Sequence, residues 1–125
     1  MKHLDNTNII ISKDEFRDNK EVESISVADA YLVQSGGAFQ NCSNLKDVYF
    51  GMDITRIGHG SFRNCKKLTD VWFAIIDKNK FIEIAEDAFW DCKNEITFHI
   101  FASAIDNFYL NDYARRHHFK VEAMI

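Results

Sequence analysis

Three cysteines recur along the chain, and a thiol can bind metal, form a disulfide or act as a nucleophile. Cys42, Cys65 and Cys92 are separated by 23 and 27 residues. Zinc and redox sites usually contain two cysteines only two residues apart, and no such pair exists here. The odd count also leaves one thiol outside any set of disulfides. We therefore predict free, buried thiols that pack as small hydrophobic groups, which suits a reducing compartment.

Other residue types used in catalysis are scattered. Neighbouring His117 and His118 point to different sides of a predicted helix, and the remaining histidines are distant in sequence, so no metal site is predicted. The glycine pair in Ser35-Gly36-Gly37 is not followed by the Lys-Ser/Thr of a phosphate-binding loop. No nucleophile accompanies a base, and no carboxylates form a recognisable pair. The sequence predicts a protein that is not an enzyme and has no cofactor.

An internal repeat organises the chain. Residues 37–50 align with residues 60–73, and their apolar positions, Asn and Cys coincide. A third copy begins at Asp87, and a degenerate first copy begins at Glu15. The marker phenylalanines are spaced by 23, 23 and 27 residues, the last interval holding a charged insertion near residues 77–80. One phenylalanine marks each of four predicted coils: Phe16, Phe39, Phe62 and Phe89.

Each coil changes its periodicity from helical to extended. Phe39, Cys42 and Leu45 lie three apart, which predicts a short helical turn, and the alternation up to Phe50 predicts a short strand. A coil of this size cannot bury its own apolar side, so neighbours must stack as a parallel ladder with strands about 4.8 Å apart. The columns predicted to point inward are Phe16, Phe39, Phe62 and Phe89; Val22, Leu45 and Leu68; Ile25, Val48, Val71 and Phe98; and Val27, Phe50, Phe73 and Ile100.

Residues 54–73 follow the pattern Ile-x-x-Ile-Gly-x-x-[Ala/Ser]-Phe-x-Asn-Cys-x-x-Leu-x-x-Val-x-Phe. This unit resembles the BspA-type leucine-rich repeat, and the resemblance extends from about Ile9 to Ile100. It implies an α/β fold: a short right-handed solenoid with a parallel β ladder, short helical turns and a C-terminal capping helix. It also implies a recognition or adhesion role, usually at a microbial cell surface. The whole chain, residues 1–125, is predicted to be one domain, although it lacks proline and has Glu95 where the repeat expects leucine.

The predicted ladder has two open ends. At the C-terminus, residues about 103–125 are predicted to cap the stack through an apolar helix face. The residues of that face are Ile105, Phe108, Tyr109 and Tyr113. At the N-terminus nothing comparable precedes Ile9, so this coil is protected either by its own polar residues or by pairing with another chain, which would make a homo-oligomer.

The outward positions of the strands supply the candidate binding residues. Tyr49 is predicted beside Trp72, flanked by Asp47 and Asp70, with His99 continuing the row. Large aromatic groups held on a rigid sheet anchor protein partners at low entropic cost. The alternative is that Tyr49 and Trp72 only brace each other as cross-strand neighbours.

Trp90 follows a marker phenylalanine and is predicted to be exposed on another face. There it either makes a second partner contact or packs against the C-terminal helix. It completes the predicted partner-binding set.

Charge and hydropathy limit the classes of partner. A net charge of −4 and a pI near 5.7 disfavour binding to nucleic acid, and no apolar run predicts membrane insertion. The N-terminus lacks the features of a signal peptide, so the chain as given is predicted to be cytoplasmic, or secreted or surface-bound if it is a mature fragment. The leading hypothesis is a non-catalytic protein-interaction module, such as an adaptor or inhibitor. The alternatives are a fragment of a microbial surface adhesion or recognition protein and a self-assembling structural unit.

Overall fold

Short parallel strands, joined by tight turns, build two sheets in the computed structural model, which describes residues 3–124. The six strands of the larger sheet, in spatial order, are β1 (His3–Asp5), β3 (Ser24–Val27), β5 (Asp47–Phe50), β7 (Asp70–Phe73), β9 (Thr97–Phe101) and β10 (Lys120–Met124). The four strands of the smaller sheet are β2 (Ile10–Ile11), β4 (Leu32–Val33), β6 (Arg56–Ile57) and β8 (Glu83–Ile84). Successive coils therefore contribute one strand to each sheet in turn.

A single α-helix in the described part of the chain, α1 (Phe108–His117), follows a 3-10 turn at Ala102–Ala104. The side chain of Asn107 caps its first turn by accepting a hydrogen bond from the Leu110 N–H at 3.1 Å. Its last turn carries Arg115 and Arg116, which complement the negative end of the helix dipole. Parallel sheets with one short C-terminal helix confirm the predicted α/β solenoid class.

The ladder is longer than the four predicted coils. Strand β1 pairs in parallel with β3 so that Leu4 faces Ile25, and β10 pairs with β9 so that Val121 faces Phe98. The predicted C-terminal cap thus contains a strand as well as a helix. The alignment of repeats omitted both strands because β1 is only three residues long and β10 follows a helix instead of a marker phenylalanine.

The predicted apolar face of the C-terminal helix was wrong in part. Tyr113 is buried as expected, but it is joined by Leu110 and Ala114, whereas Phe108 is 67% and Tyr109 37% exposed. Because α1 begins at Phe108, the spacing of 3.6 residues per turn places Leu110, Tyr113 and Ala114 on one stripe. The Tyr113 hydroxyl donates to the Ala85 carbonyl at 2.9 Å and ties α1 to the preceding coil.

The marker phenylalanines form a continuous stack through the core. Ring centroids of Phe16 and Phe39 lie 5.2 Å apart, those of Phe39 and Phe62 4.9 Å, and those of Phe62 and Phe89 5.2 Å, with the ring planes within 11° of parallel. Each such aromatic contact adds about 0.5–1.5 kcal/mol beyond its buried area. The remaining inward columns are buried, so the predicted register of the coils is confirmed.

The three thiols lie in one column beside this stack. Each Sγ donates to the carbonyl of the marker phenylalanine one coil earlier: Cys42 to Phe16, and Cys65 to Phe39, at 3.1 Å in both cases. Burial raises the pKa of Cys42 and of Cys92 to about 11, which keeps these thiols protonated as hydrogen-bond donors. The prediction of free cysteines is confirmed, and Cys92 is only partly buried.

Asn and Asp side chains shape the turn that precedes each cysteine. Asn41, Asn64 and Asp91 have φ of 63°, 60° and 63°, the left-handed region that Asn and Asp tolerate best among residues with a side chain. The Asn64 amide donates to Asn41 Oδ1, and the Asn41 amide donates to Asp18 Oδ1, both at 2.8 Å. The amides of Asn41 and Asn64 therefore have a structural role, since they link consecutive turns, whereas the Asp91 carboxylate pairs with Lys93.

Two substitutions at Asn64 separate its backbone role from its amide role. We expect Asn64→Ala to lower the free energy of unfolding by about 1–2 kcal/mol, because alanine is strained in the left-handed region and lacks the amide. Asn64→Gly should lower it less, because glycine adopts this conformation freely. Urea unfolding of the two variants measures the difference, and equal losses would show that the backbone conformation is unimportant.

Candidate functional site on the outer face of the larger sheet

The register of the larger sheet aligns its outward side chains in two rows. The residues of the first row, here called the carboxylate row, are His3, Ser24, Asp47, Asp70, Thr97 and Lys120. The residues of the second, the aromatic row, are Asp5, Ser26, Tyr49, Trp72, His99 and Glu122. The structure brings five of the six sequence-predicted site residues together on this face and adds the end residues of β1 and β10.

Three rings of the aromatic row stack on one another. The centroids of Tyr49 and Trp72 are 5.6 Å apart with the planes at 14°, and those of Trp72 and His99 are 3.7 Å apart at 12°. This stack is the mutual bracing that was the alternative interpretation of the sequence. It leaves Tyr49 36% exposed. Bracing also restricts the rotamers, so the rings are already ordered for a contact.

A hydrogen bond links the two rows diagonally. His99 Nε2 lies 2.7 Å from Asp70 Oδ1, and the Thr69 hydroxyl donates to Asp70 Oδ2 at 2.6 Å. The His99 side chain is only 12% exposed because Trp72 covers one of its faces. The sequence analysis placed His99 in this row but did not predict its bond to Asp70. The two residues are 29 apart in the chain and meet only because adjacent coils stack.

Asp47 faces Asp70 across the strands without a cation between them. Among residues 3–124 Asp47 forms no ion pair, whereas Asp70 is bonded to His99. Burial and the negative charge of Asp70 raise the pKa of Asp47. The nearby Trp72 indole, Lys46 and His99 lower this pKa by smaller amounts. The indole acts by proximity, because its buried Nε1 makes no hydrogen bond of regular geometry within residues 3–124. Asp47 is therefore a carboxylate of this face that faces a second carboxylate and has no ion pair among the described residues.

The face as a whole is acidic. Its two rows contain four carboxylates and only one lysine: Asp5, Asp47, Asp70, Glu122 and Lys120. The negative charges of this face also act on the tyrosine: burial, together with the charges of Asp47 and Asp70, raises the pKa of Tyr49. Two stacked aromatic groups thus lie in a field that attracts cations.

The sixth predicted residue, Trp90, lies outside both rows. It follows β8 in a turn, is 57% exposed, and has the guanidinium carbon of Arg63 4.2 Å from its ring centroid. Its observed neighbour is thus Arg63, a residue of the preceding coil. This cation–π contact joins Trp90 to the preceding coil, and the partner contact predicted for Trp90 stays a prediction.

A groove of about 380 Å³ separates the smaller sheet from α1, and sequence reasoning missed it because its walls are distant in sequence. Its lining includes Phe81 and Tyr109, whose rings meet edge to face at 4.9 Å. The charged groups in and beside the groove are matched within the chain, as Arg116 and His117 both bond Glu86. The groove therefore shows no charge preference.

Two further features concern the described range, 3–124. No group of three or more His, Cys, Asp and Glu side chains there is placed to hold a metal ion. No helix of that range combines the length and the apolar character needed to cross a bilayer.

The burial of Asp47 and its repulsion by Asp70 predict that the free energy of unfolding depends on pH. Because the pKa of Asp47 is raised on folding, the native protein binds this proton more tightly than the unfolded chain, and stability falls as pH rises through that interval. We expect Asp47→Asn to raise the free energy of unfolding at neutral pH by roughly 0.2–1 kcal/mol, the range for like charges on adjacent strands. The gain should vanish below the ordinary pKa of aspartate, as measured by urea unfolding across pH.

The control for this prediction is Asp53→Asn, which removes the same charge from an exposed position off both rows. The groups that act on the Asp47 carboxyl are Asp70 and the Trp72 indole on β7, His99 on β9, and Lys46, which directly precedes β5. A gain from Asp53→Asn equal to that from Asp47→Asn would contradict a local origin of the repulsion.

Comparison with known proteins matches this architecture. A family model described as BspA type Leucine rich repeat region matches residues 2–119 in six copies. Six copies are two more than the coils predicted from the sequence, and the matched range includes β1. Neither the curated proteins nor the solved structures give a match. With nearly the whole length matched, this chain belongs to the BspA-type leucine-rich repeat family.

Proposed function

We propose that the chain is a non-catalytic module that binds a protein partner through the outer face of its larger sheet. The observation that carries this proposal is the stack of Tyr49, Trp72 and His99 on that face. Family membership supports it, since leucine-rich repeats generally act in protein–protein interaction or surface recognition and are generally not enzymes.

The physical reason is the low cost of ordering such a surface. Rings held by their neighbours lose little rotamer freedom on binding, and tyrosine and tryptophan are the residue types most often found at the energetic centre of interfaces. Tyr49 is exposed enough to be covered by a partner, and the sheet beneath it is packed on the core through Val48 and Phe50. Partner contact would thus bury an aromatic group that is already in place.

The biological setting is part of the same proposal. An intracellular adaptor or inhibitor suits the free, protonated thiols of the core, because such thiols persist in a reducing compartment. A microbial surface adhesion or recognition protein is the alternative, and it would use the same face.

End-to-end self-assembly, the other predicted function, receives less support from the charges at the ends. Continuing the ladder in register would place Glu122 of β10 against Asp5 of a second copy and Lys120 against His3. Like charges directly opposite destabilise a sheet, and charged edge strands oppose edge-to-edge pairing. We expect sedimentation to show a monomer at all concentrations, and a mass that grows with concentration would favour assembly instead.

Affinity capture from native lysate tests the proposed binding face. We expect wild-type protein to retain a partner that Tyr49→Ala loses, because the substitution removes the exposed ring of the stack. Tyr31→Ala is the matched control, since Tyr31 is 42% exposed and lies at the smaller sheet, where it should leave capture unchanged. Equal capture by all three proteins would remove the outer face as the binding site.

A further inference from the structure

We propose that the partner offers a basic segment to the outer face, with a lysine or arginine side chain placed beside Asp47 and along the ring of Tyr49. The juxtaposition that points to it is the carboxylate pair Asp47 and Asp70 next to the stacked rings of Tyr49 and Trp72. This inference rests on the proposed function and specifies the chemistry of its partner.

The first step concerns compensation of charge. Two of the four carboxylates on this face already have an imidazole bonded to them: Asp5 contacts His3 Nε2 at 3.0 Å, and Asp70 contacts His99 Nε2 at 2.7 Å. Neither Asp47 nor Glu122 has an imidazole bonded to it among the described residues, and of these two only Asp47 faces another carboxylate, Asp70. The Trp72 indole, Lys46 and His99 offset the raised pKa of Asp47 only in part. A cation next to Asp47 would interact with both members of the facing pair and relieve their repulsion, which an anionic or neutral group would not do.

The second step concerns the ring beside this carboxylate. Tyr49 is covered by Trp72 on the β7 side, but its neighbour on the β3 side is Ser26, which is too small to cover a ring. Among the described residues the His3 ring lies on this side, at 73° to Tyr49 and with centroids 6.4 Å apart, and the Ser24 side chain lies near the Tyr49 hydroxyl. The aliphatic part of lysine or arginine packs on such a ring while its charged end reaches a carboxylate.

The third step is a comparison with the other exposed aromatic groups. Trp90 already has the Arg63 guanidinium over its ring, so its cation site is occupied from within the chain. The groove beside α1 is lined by ion pairs, among them Arg56 with Glu83 at 3.6 Å. The outer face alone among these three combines exposed aromatic area with a carboxylate that lacks an ion pair.

A peptide titration tests the chemistry directly. The chain contains two tryptophans, so Trp90→Phe leaves Trp72 as the single fluorescent reporter on the outer face. The probes are a short poly-arginine peptide and a poly-glutamate peptide of equal length. We expect poly-arginine to change the Trp72 emission in a saturable way that weakens as salt is raised, and poly-glutamate to have no effect.

Charge variants in the same background show where the peptide binds. Asp47→Asn should weaken poly-arginine binding roughly two- to fivefold, the range for one solvent-exposed ion pair. Tyr49→Ala should also weaken it, and Asp53→Asn, which changes the net charge equally, should not. The urea unfolding of each variant shows that the fold is retained.

Several results would overturn the inference. Absence of poly-arginine binding, equal binding of poly-glutamate, or an equal loss in Asp53→Asn would each show that the face does not select a cation at Asp47. If lysate capture is lost in Tyr49→Ala but unchanged in Asp47→Asn, the binding face stands and the basic partner is wrong. If neither substitution alters capture and no peptide binds, both proposals fail.

Discussion

The structure depends on one constraint, the in-register pairing of parallel strands at a spacing of about 4.8 Å. Pairing of Val48 with Val71 and of Phe50 with Phe73 requires every equivalent side chain to lie beside its copy one coil away. Identical apolar groups fill such a column well, which is why Phe39 stacks on Phe62 at 4.9 Å. The thiols and the amides of Asn41 and Asn64 satisfy the same repeat, because each donates a hydrogen bond to the coil before it.

The same constraint acts on the outer face, where its consequences are less favourable. It aligns Tyr49 with Trp72, which suits both rings, and it also aligns Asp47 with Asp70, which repel each other. His99 bonds one of these carboxylates, whereas the other, Asp47, forms no ion pair among the described residues and keeps a raised pKa. A site that is destabilising for the free protein but matched to a partner is a common trade of stability for function. The register therefore supports both the fold and the proposed interaction.

The two ends of the ladder protect their apolar end surface and edge strand in different ways. At the C-terminal end, Tyr113 and Phe119 pack against Phe89 and Phe98 and so cover the last apolar coil. At the N-terminal end, β1 is short and its outward residues His3 and Asp5 bond each other. Charged outward residues on both edge strands also disfavour the addition of further strands.

The sequence by itself determined the repeating part of this protein: the inward columns, the free thiols, and the outward placement of Tyr49 and Trp72. Periodicity is sufficient for these because every coil experiences the same environment. The tertiary structure decided what does not repeat: strands β1 and β10, the buried stripe of α1, the bond between His99 and Asp70, and the contact of Arg63 with Trp90. End elements have a neighbour on one side only, and contacts between unlike residues of adjacent coils depend on side-chain directions, so neither leaves a periodic signal.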